Sequence, residues 1–152
     1  MKMNFKEPVF MEGGIAVDER GVVTYCNGFD FDGVKRFYTL TNFTPGYVRA
    51  WHGHKTEVKY VVVTRGSCMV CCAPLSSFEG LPGDKAHIYK FIMSYRDPGV
   101  LYIPAGYANG HMALEQNTDV LHFSTLPLED TKGDDVRFPA DFFSGVWEIK
   151  GR

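Results

Sequence analysis

The sequence has little that would direct the chain to a membrane or to nucleic acid. No stretch approaches the roughly 20 consecutive apolar residues of a membrane helix. Residues 1–12 mix lysine and glutamate with single apolar side chains, unlike a secretory signal. The formal net charge of −2 offers no electrostatic attraction toward nucleic acid or anionic lipid. The sequence therefore predicts a cytoplasmic protein that binds neither nucleic acid nor a membrane.

Cysteine is also scarce, with four residues in the chain. Three of them lie in the segment Ser67–Cys72, and Cys26 stands apart. A Cys-x-x-Cys spacing can indicate zinc or redox chemistry. Here it falls inside an apolar run typical of a strand, on which Cys68 and Cys71 would point to opposite faces. We therefore interpret these cysteines as small buried apolar residues.

Helical periodicity is missing as well, since only Pro139–Ser144 could form a single turn. Short β-type runs separated by turn residues fill the rest of the chain. The predicted strands are Val22–Cys26, Lys35–Asn42, Tyr47–His54, Val58–Thr64, Ser67–Ala73, His87–Met93, Gly99–Ile103, His111–Glu115, Asp119–Thr125 and Val146–Ile149. This pattern indicates one all-β domain over residues 1–152, an antiparallel sandwich or barrel whose interior or mouth holds a ligand.

The densest group of chemically active side chains lies in residues 49–55. On a regular strand His52 and His54 share one face, while Arg49 and Trp51 share the other. Two imidazoles on one face favour a function over a plain core. The residues alone leave three interpretations open: an exposed polar face, a metal site, or a general base with an orienting partner.

A second group lies in the segment Leu101–His111, where proline and glycine predict a tight turn. Asn109 and His111 then point to the same face of the following strand. His87 and His122 have no neighbouring motif, and we interpret both as structural.

These residues resemble the two motifs of the cupins, which are small β-barrels of the jelly-roll type. The residues similar to the first motif are Gly46, His52, His54 and Glu57. Those similar to the second are Gly99, Pro104, Gly106 and Asn109, where Asn109 stands in place of the usual His. One alternative that this resemblance implies is a metal-dependent cupin, with His52, His54, Glu57 and His111 as ligands.

Over most of residues 15–150 the chain resembles the dTDP-4-dehydrorhamnose 3,5-epimerases. The similar segments are Asp18–Gly21, Arg49–His52, Lys59–Gly66, Ile103–Gly110, Val136–Phe138 and Val146–Trp147. In that family the His of the Arg-Gly-x-His segment is the catalytic base, and the Lys of the next strand lies in the active site. The resemblance therefore implies His52 as base and Lys59 beside it.

A second set of segments resembles the dTDP-sugar 3,4-ketoisomerases. These segments are Val34–Tyr38, His52–Lys55 and Gly66–Ser67. In that family the first His is the proposed base and the Tyr lines the pocket. The resemblance adds Tyr38 to the predicted catalytic residues His52 and Lys59.

Together the resemblances imply a homodimeric isomerase that binds a nucleotide-diphosphate sugar and uses neither metal nor organic cofactor. The predicted substrate-binding residues are Arg20, Arg36, Arg49, His54, Asn109 and His111, with the arginines as candidates for the diphosphate. The expected reaction is epimerisation of a 4-keto sugar, in which a base removes the acidic proton beside the ketone. A cation or hydrogen-bond donor then stabilises the enolate oxygen.

Epimerisation also needs an acid for the opposite face of the sugar, and the epimerases take it from a Tyr. The corresponding segment here, Leu126–Asp130, has no Tyr. The acid would then come from Tyr38, Tyr107 or another group. The alternatives are a 3,4-ketoisomerase, whose single base shuttles a proton on one face, a metal-dependent cupin, and a sugar-binding cupin without activity.

Overall fold

Among the residues that the structure describes, ten strands in two sheets form the body of the protein and two more form a separate hairpin. The description covers residues 3–83 and 87–152 of a computed structural model. The strands are β1 Val9–Glu12, β2 Gly14–Asp18, β3 Gly21–Tyr25, β4 Arg36–Asn42, β5 Val48–His54, β6 Lys59–Arg65, β7 Ser67–Pro74, β8 Tyr89–Ser94, β9 Gly99–Ile103, β10 Tyr107–Ala113, β11 Thr118–Ser124 and β12 Asp135–Arg137. Helix α1 spans Leu128–Thr131, and a 3₁₀ turn spans Leu75–Phe78. No helix in the described ranges is long and apolar enough to cross a membrane.

The two main sheets have five strands each and are antiparallel throughout. Their strand orders are β1-β9-β6-β11-β4 and β12-β5-β10-β7-β8, while β2 and β3 pair only with each other. The two sheets enclose a core, because alternating side chains of β7, β9 and β11 turn inward. This arrangement confirms the predicted all-β jelly-roll architecture.

Strand β7 is buried on both faces, which explains its continuous apolar run. Cys68 and Cys72 belong to the cluster between the sheets, whereas Cys71 belongs to a cluster on the outer face. Burial raises the pKa of the Cys68 and Cys71 thiols to about 12. Both thiols are therefore protonated and unreactive at neutral pH, in agreement with their structural interpretation.

The C-terminal segment covers the outer face of the second sheet without adding a strand to it. Trp51 packs there against Phe143 and Trp147, with ring centroids 5.7 and 5.3 Å apart. The prediction of a strand at Val146–Ile149 is wrong, and Pro139–Ser144 forms bends and turns instead of a helical turn. The apolar side chains of this segment are used for packing onto a sheet face, so its backbone does not pair at an edge.

Several boundaries also differ from the predictions, because pairing rather than composition sets them. Strand β10 begins at Tyr107 instead of His111, since it pairs with β5 on one side and β7 on the other. Strand β8 begins at Tyr89, and His87 lies exposed before it with its ring against Tyr89. The short strands β1, β2 and β12 and helix α1 were not predicted.

A bulge in β5 changes which side chains face the interior. Ala50 and Trp51 lie opposite the single residue Gly110, so the register shifts by one. Arg49 thereby turns to the same side as His52, while Trp51 packs on the outside. This corrects the regular alternation assumed from the sequence. A Cβ on Gly110 would lie 2.3 Å from the Cβ of Ala50, so the bulge requires glycine there.

Candidate active site

A polar cavity of about 320 Å³ occupies the part of the interior that the apolar core leaves open. Eight of the nine predicted site residues line it: Arg36, Tyr38, Arg49, His52, His54, Lys59, Asn109 and His111. The other lining residues are Leu40, Glu57, His122, Thr131, Asp135 and Arg137. Of these, the sequence suggested only Glu57 as a site residue, and then as a metal ligand, whereas His122 was interpreted as structural.

Arg20 is the predicted residue that the structure does not bring to this cavity. It lies at the turn between β2 and β3, where its exposed side chain pairs with Asp18. The prediction that Arg20 binds the ligand is therefore not supported within one chain, because its guanidinium pairs with Asp18 at the exposed turn of the hairpin.

The two walls of the cavity come from different sheets. Strands β5, β10 and β12 place His52, Asn109 and Arg137 side by side on one wall. Strands β4, β6 and β11 place Tyr38, Lys59 and His122 on the other. A ligand between the walls would therefore meet different chemistry on its two faces.

His52 is a half-buried imidazole near two cations. Burial, followed by the charges of Lys59 and Arg137, lowers its pKa to about 4. The imidazole is therefore neutral at pH 7 and has a free lone pair, as a proton acceptor requires. On the same wall, Asn109 donates a hydrogen bond to the backbone carbonyl of His52 across 3.4 Å. Asn109 thus links strand β10 to strand β5 beside His52.

Glu57 is fully buried and lies at the centre of a charged cluster. Its Oε2 lies 2.8 Å from Nδ1 of His54 and 3.7 Å from Nζ of Lys59, and its Oε1 lies 3.5 Å from Nη2 of Arg36. The hydroxyl of Ser124 also donates to it. Burial alone would raise the pKa of Glu57, but its contacts with His54, Lys59 and Ser124 outweigh burial and lower the pKa to about 2. The carboxylate therefore holds Lys59 and Arg36 at the cavity.

Asp134 fixes the loop between β5 and β6 that carries Glu57. Its two carboxylate oxygens accept hydrogen bonds from the backbone N–H groups of Lys55, Thr56 and Glu57 at 2.8–3.0 Å. Sequence analysis missed this residue, because its partners lie far away along the chain. The interaction ties the end of β5 to the segment before β12.

The side chains do not form the metal site that the alternative of a metal-dependent cupin requires. Within residues 3–83 and 87–152, the metal-ligating atoms that converge within 4.8 Å of one another belong to His54, Glu57 and Asp134. Neither His52 nor His111 belongs to that set. The Asp134 oxygens already accept hydrogen bonds, and Glu57 already faces two cationic side chains. This donor set does not fit a metal ion, because the ion would have to displace those partners.

His122 lines the cavity, which corrects its interpretation as a plain structural residue. Its ring stacks on Tyr38, with centroids 5.0 Å apart and planes at 2°, and the guanidinium of Arg36 lies 5.0 Å from the Tyr38 centroid. His111 approaches from the facing wall, with ring centroids 6.1 Å apart. The signal for His122 was its position: Val120 and Ser124 on the same strand face are also buried, so the face points inward.

Two arginines of the second sheet line the cavity. Arg49 on β5 donates from Nε to Oδ1 of Asn42 across 2.7 Å, and its guanidinium lies 5.6 Å from the Tyr47 ring centroid. Arg137 on the neighbouring β12 pairs with Asp135 across 2.9 Å. Planar guanidinium groups held in this way suit bidentate contact with phosphate oxygens.

No protein-family model matches the sequence, and no curated protein matches it. Solved structures do resemble it. NovW, a 4-keto-6-deoxy sugar epimerase of Streptomyces spheroides, is 14% identical with a TM-score of 0.75, covering 97% of this chain and 78% of NovW. A dTDP sugar isomerase of Desulfovibrio desulfuricans is 19% identical with a TM-score of 0.72, covering 93% and 91%.

A mutant of the 3,4-ketoisomerase QdtA of Thermoanaerobacterium thermosaccharolyticum is also similar. It is 17% identical with a TM-score of 0.66, and the match covers 89% of this chain and 90% of QdtA. Both groups of enzymes indicated by the sequence motifs are thus matched in fold. At these identities the likeness establishes the cupin jelly-roll fold.

Proposed function

We propose that this protein is an epimerase of nucleotide-diphosphate 4-keto-6-deoxyhexoses. The observation that carries the proposal is a neutral imidazole, His52, facing a cavity whose opposite wall holds the cation of Lys59. Removal of a proton beside a ketone needs these two groups, one as base and one to stabilise the enolate. The fold shared with NovW, a 4-keto-6-deoxy sugar epimerase, supports the same reaction class.

In the proposed reaction His52 takes the proton from the carbon next to the ketone and becomes an imidazolium. The electron pair of the broken C–H bond forms a C=C bond, and the ketone oxygen becomes an enolate oxygen facing Lys59. An acid on the opposite face of the sugar protonates the same carbon and inverts it, with Tyr38 as the candidate acid that lines the cavity. His52 then releases its proton to solvent, and Tyr38 regains one from solvent. The reaction is redox-neutral, so these steps need no redox cofactor. A bound diphosphate would offset the charges of Lys59 and Arg137 and make His52 a stronger base.

The arginines provide the binding part of the proposal. Arg36, Arg49 and Arg137 place guanidinium groups at the cavity, which suits a diphosphate. The 3'-monoepimerase ChmJ of Streptomyces bikiniensis was solved with dTDP, and QdtA with TDP-4-keto-6-deoxyglucose. We therefore propose a nucleoside diphosphate as the recognised group, with the base and the sugar left open.

Incubation with dTDP-4-keto-6-deoxyglucose in deuterated water, followed by NMR, tests the proposal. Deuterium at a carbon next to the ketone with inversion there is the expected result. No deuterium incorporation, with dTDP binding intact by calorimetry, would overturn the enzymatic proposal in favour of a sugar-binding cupin.

One observation favours 3,4-ketoisomerisation as a second candidate. The segment that carries the acid Tyr in the epimerases forms the start of α1 here, and only Thr131 of that helix lines the cavity. Ketone migration returns the proton to the neighbouring carbon on the same face, so one shuttling base, His52, suffices. The same NMR experiment separates the candidates, because migration yields a 3-keto product.

We also propose a homodimer, supported by the β2–β3 hairpin. Val17, Val22 and Val23 on this hairpin are 62–71% exposed, which is unusual for apolar side chains of a two-stranded ribbon. Sedimentation should give the mass of two chains, and the double variant Val17→Asp/Val22→Asp should sediment as one chain. A single-chain mass for the unmodified protein would contradict the proposal.

A further inference from the structure

The most unusual group in the cavity that the mechanism above does not use is His122. Its side chain is 4% exposed, and both ring nitrogens are buried without a hydrogen-bond partner. Buried polar atoms of proteins are nearly always paired. Two unpaired nitrogens on a residue that lines a cavity indicate a partner that enters the cavity.

The position of His122 indicates which kind of ligand atom would be its hydrogen-bond partner. His122 lies on β11, and Lys59 lies on the adjacent β6, where it pairs with Ser124. His122 and Lys59 therefore share one wall, across the cavity from His52. An oxygen atom of a ligand held near Lys59 would also lie beside the His122 ring.

The surroundings also fix the state and orientation of the imidazole. Burial, followed by the charge of Lys59, lowers the pKa of His122 well below its ordinary value, so the ring is neutral and carries one N–H. Stacking on Tyr38, with planes at 2°, holds the ring plane. A neutral, fixed N–H donor is suited to hydrogen bonding with an oxygen on which negative charge develops.

Resting on the proposed function, we propose that His122 is a catalytic residue that donates a hydrogen bond to the enolate oxygen together with Lys59. Lys59 supplies charge and His122 a directed N–H, so the oxygen is held by two donors on the wall opposite the base. No proton is transferred at His122. It lowers the barrier to enolisation and does not act as the acid that inverts the carbon.

The test is His122→Phe, which keeps a ring beside Tyr38 and removes both nitrogens. The rate of deuterium incorporation should fall about 10²–10³-fold, as for loss of one oxyanion donor, with dTDP affinity unchanged. His122→Gln, which offers an amide N–H, should recover part of the rate. The matched control is His87→Phe, which replaces an exposed histidine outside the cavity and should leave the rate unchanged.

The outcomes separate this inference from the proposed function. Absence of exchange in the unmodified protein would overturn both. Exchange in the unmodified protein with equally fast exchange in His122→Phe would overturn only the role of His122. Fast exchange without inversion in His122→Phe would also overturn it, because His122 would then be the second acid. A loss of rate matched by a loss of folded protein in circular dichroism, without recovery in His122→Gln, would reduce His122 to a structural role.

Discussion

At the scale of single residues, the cavity depends on one buried carboxylate. Glu57 touches His54, Lys59 and Arg36, and thereby brings two cations to a place that would otherwise repel both. The sequence did not reveal that Glu57 contacts two cations, because its position there resembles that of a cupin metal ligand. The carboxylate at this position contacts lysine and arginine here, because Lys59 at the start of β6 and Arg36 at the start of β4 both reach it.

Replacing His52 should remove the proton acceptor. We expect His52→Asn to lower the rate of deuterium incorporation by about 10²–10⁴-fold, the usual loss for a general base. Binding of dTDP, measured by calorimetry, should change little. Exchange at the unmodified rate in His52→Asn would show that another group is the base.

Replacing Glu57 should destabilise the fold. Glu57→Gln keeps the shape but leaves two cations without their carboxylate, so we expect a loss of about 3 kcal/mol in urea unfolding at pH 7. The pKa of Glu57 is about 2 in the folded protein, against an ordinary value of 4.5. The ionised carboxylate therefore stabilises the fold above pH 4.5, and this contribution is lost as the pH falls toward 2. The difference between the two proteins should therefore shrink over that range. A variant as stable as the parent at pH 7 would contradict this account.

Metal content gives a direct check of the same cluster. We expect the purified protein to contain no stoichiometric transition metal, because the Glu57 carboxylate already faces cations and Asn109 replaces a ligand residue. Elemental analysis provides the measurement. About one metal ion per chain, lost in His52→Ala, would overturn the metal-free mechanism.

At the scale of elements, the bulge in β5 determines which of its residues line the cavity. Period-two alternation correctly predicted that His52 and His54 share a face, because this end of β5 is regular and both side chains line the cavity. It failed for Arg49, since a bulge depends on contact with β10, and Gly110 alone does not reveal it. Similarly, Val146–Ile149 has strand-like composition, but Val146 and Trp147 pack on a sheet face and their segment does not pair at an edge. Local sequence determines periodicity, whereas the choice of partner strand determines the exceptions.

The bulge can be tested at Gly110. In Gly110→Ala the new Cβ would lie 2.3 Å from the Ala50 Cβ and 2.9 Å from the Arg49 carbonyl oxygen, so backbone must move. We expect a loss of about 1–3 kcal/mol in urea unfolding and weaker dTDP binding, because Arg49 shifts. Gly28→Ala is the control, since nothing lies within 4 Å of its new Cβ. Equal stability of the two variants would argue against a tight bulge.

At the scale of the whole molecule, the interior combines an apolar core with a polar cavity that contains neutral histidines. Burial, followed by the charge of Arg49, lowers the pKa of His111 to about 4, and burial lowers that of His122 well below its ordinary value. The sequence predicted the barrel and most of the cavity residues. It did not predict that His111 and His122 lie close together, because β10 and β11, which carry them, belong to different sheets.

These histidines should make stability depend on pH. The unfolded chain takes up protons near pH 6.5, whereas the folded His111 does so near pH 4. The free energy of unfolding should therefore fall as the pH falls from about 6.5 to 4.5, by about 1.4 kcal/mol per pH unit for each histidine. Urea unfolding at several pH values measures the slope. His122→Phe should reduce it and His87→Phe should not; an unchanged slope in His122→Phe would contradict this origin.

The division of the cavity walls between two sheets has a consequence for how activity relates to folding. Neither sheet by itself holds both His52, the proposed base, and the groups proposed to face the enolate. Any partial opening along the seam between the sheets would separate them by several ångströms while most of the secondary structure survived. Turnover should therefore report whether the two sheets remain packed together. If the sheets separate first, activity is lost at a lower denaturant concentration than the circular dichroism signal of the strands. If the molecule unfolds as one unit, activity and the circular dichroism signal are lost together.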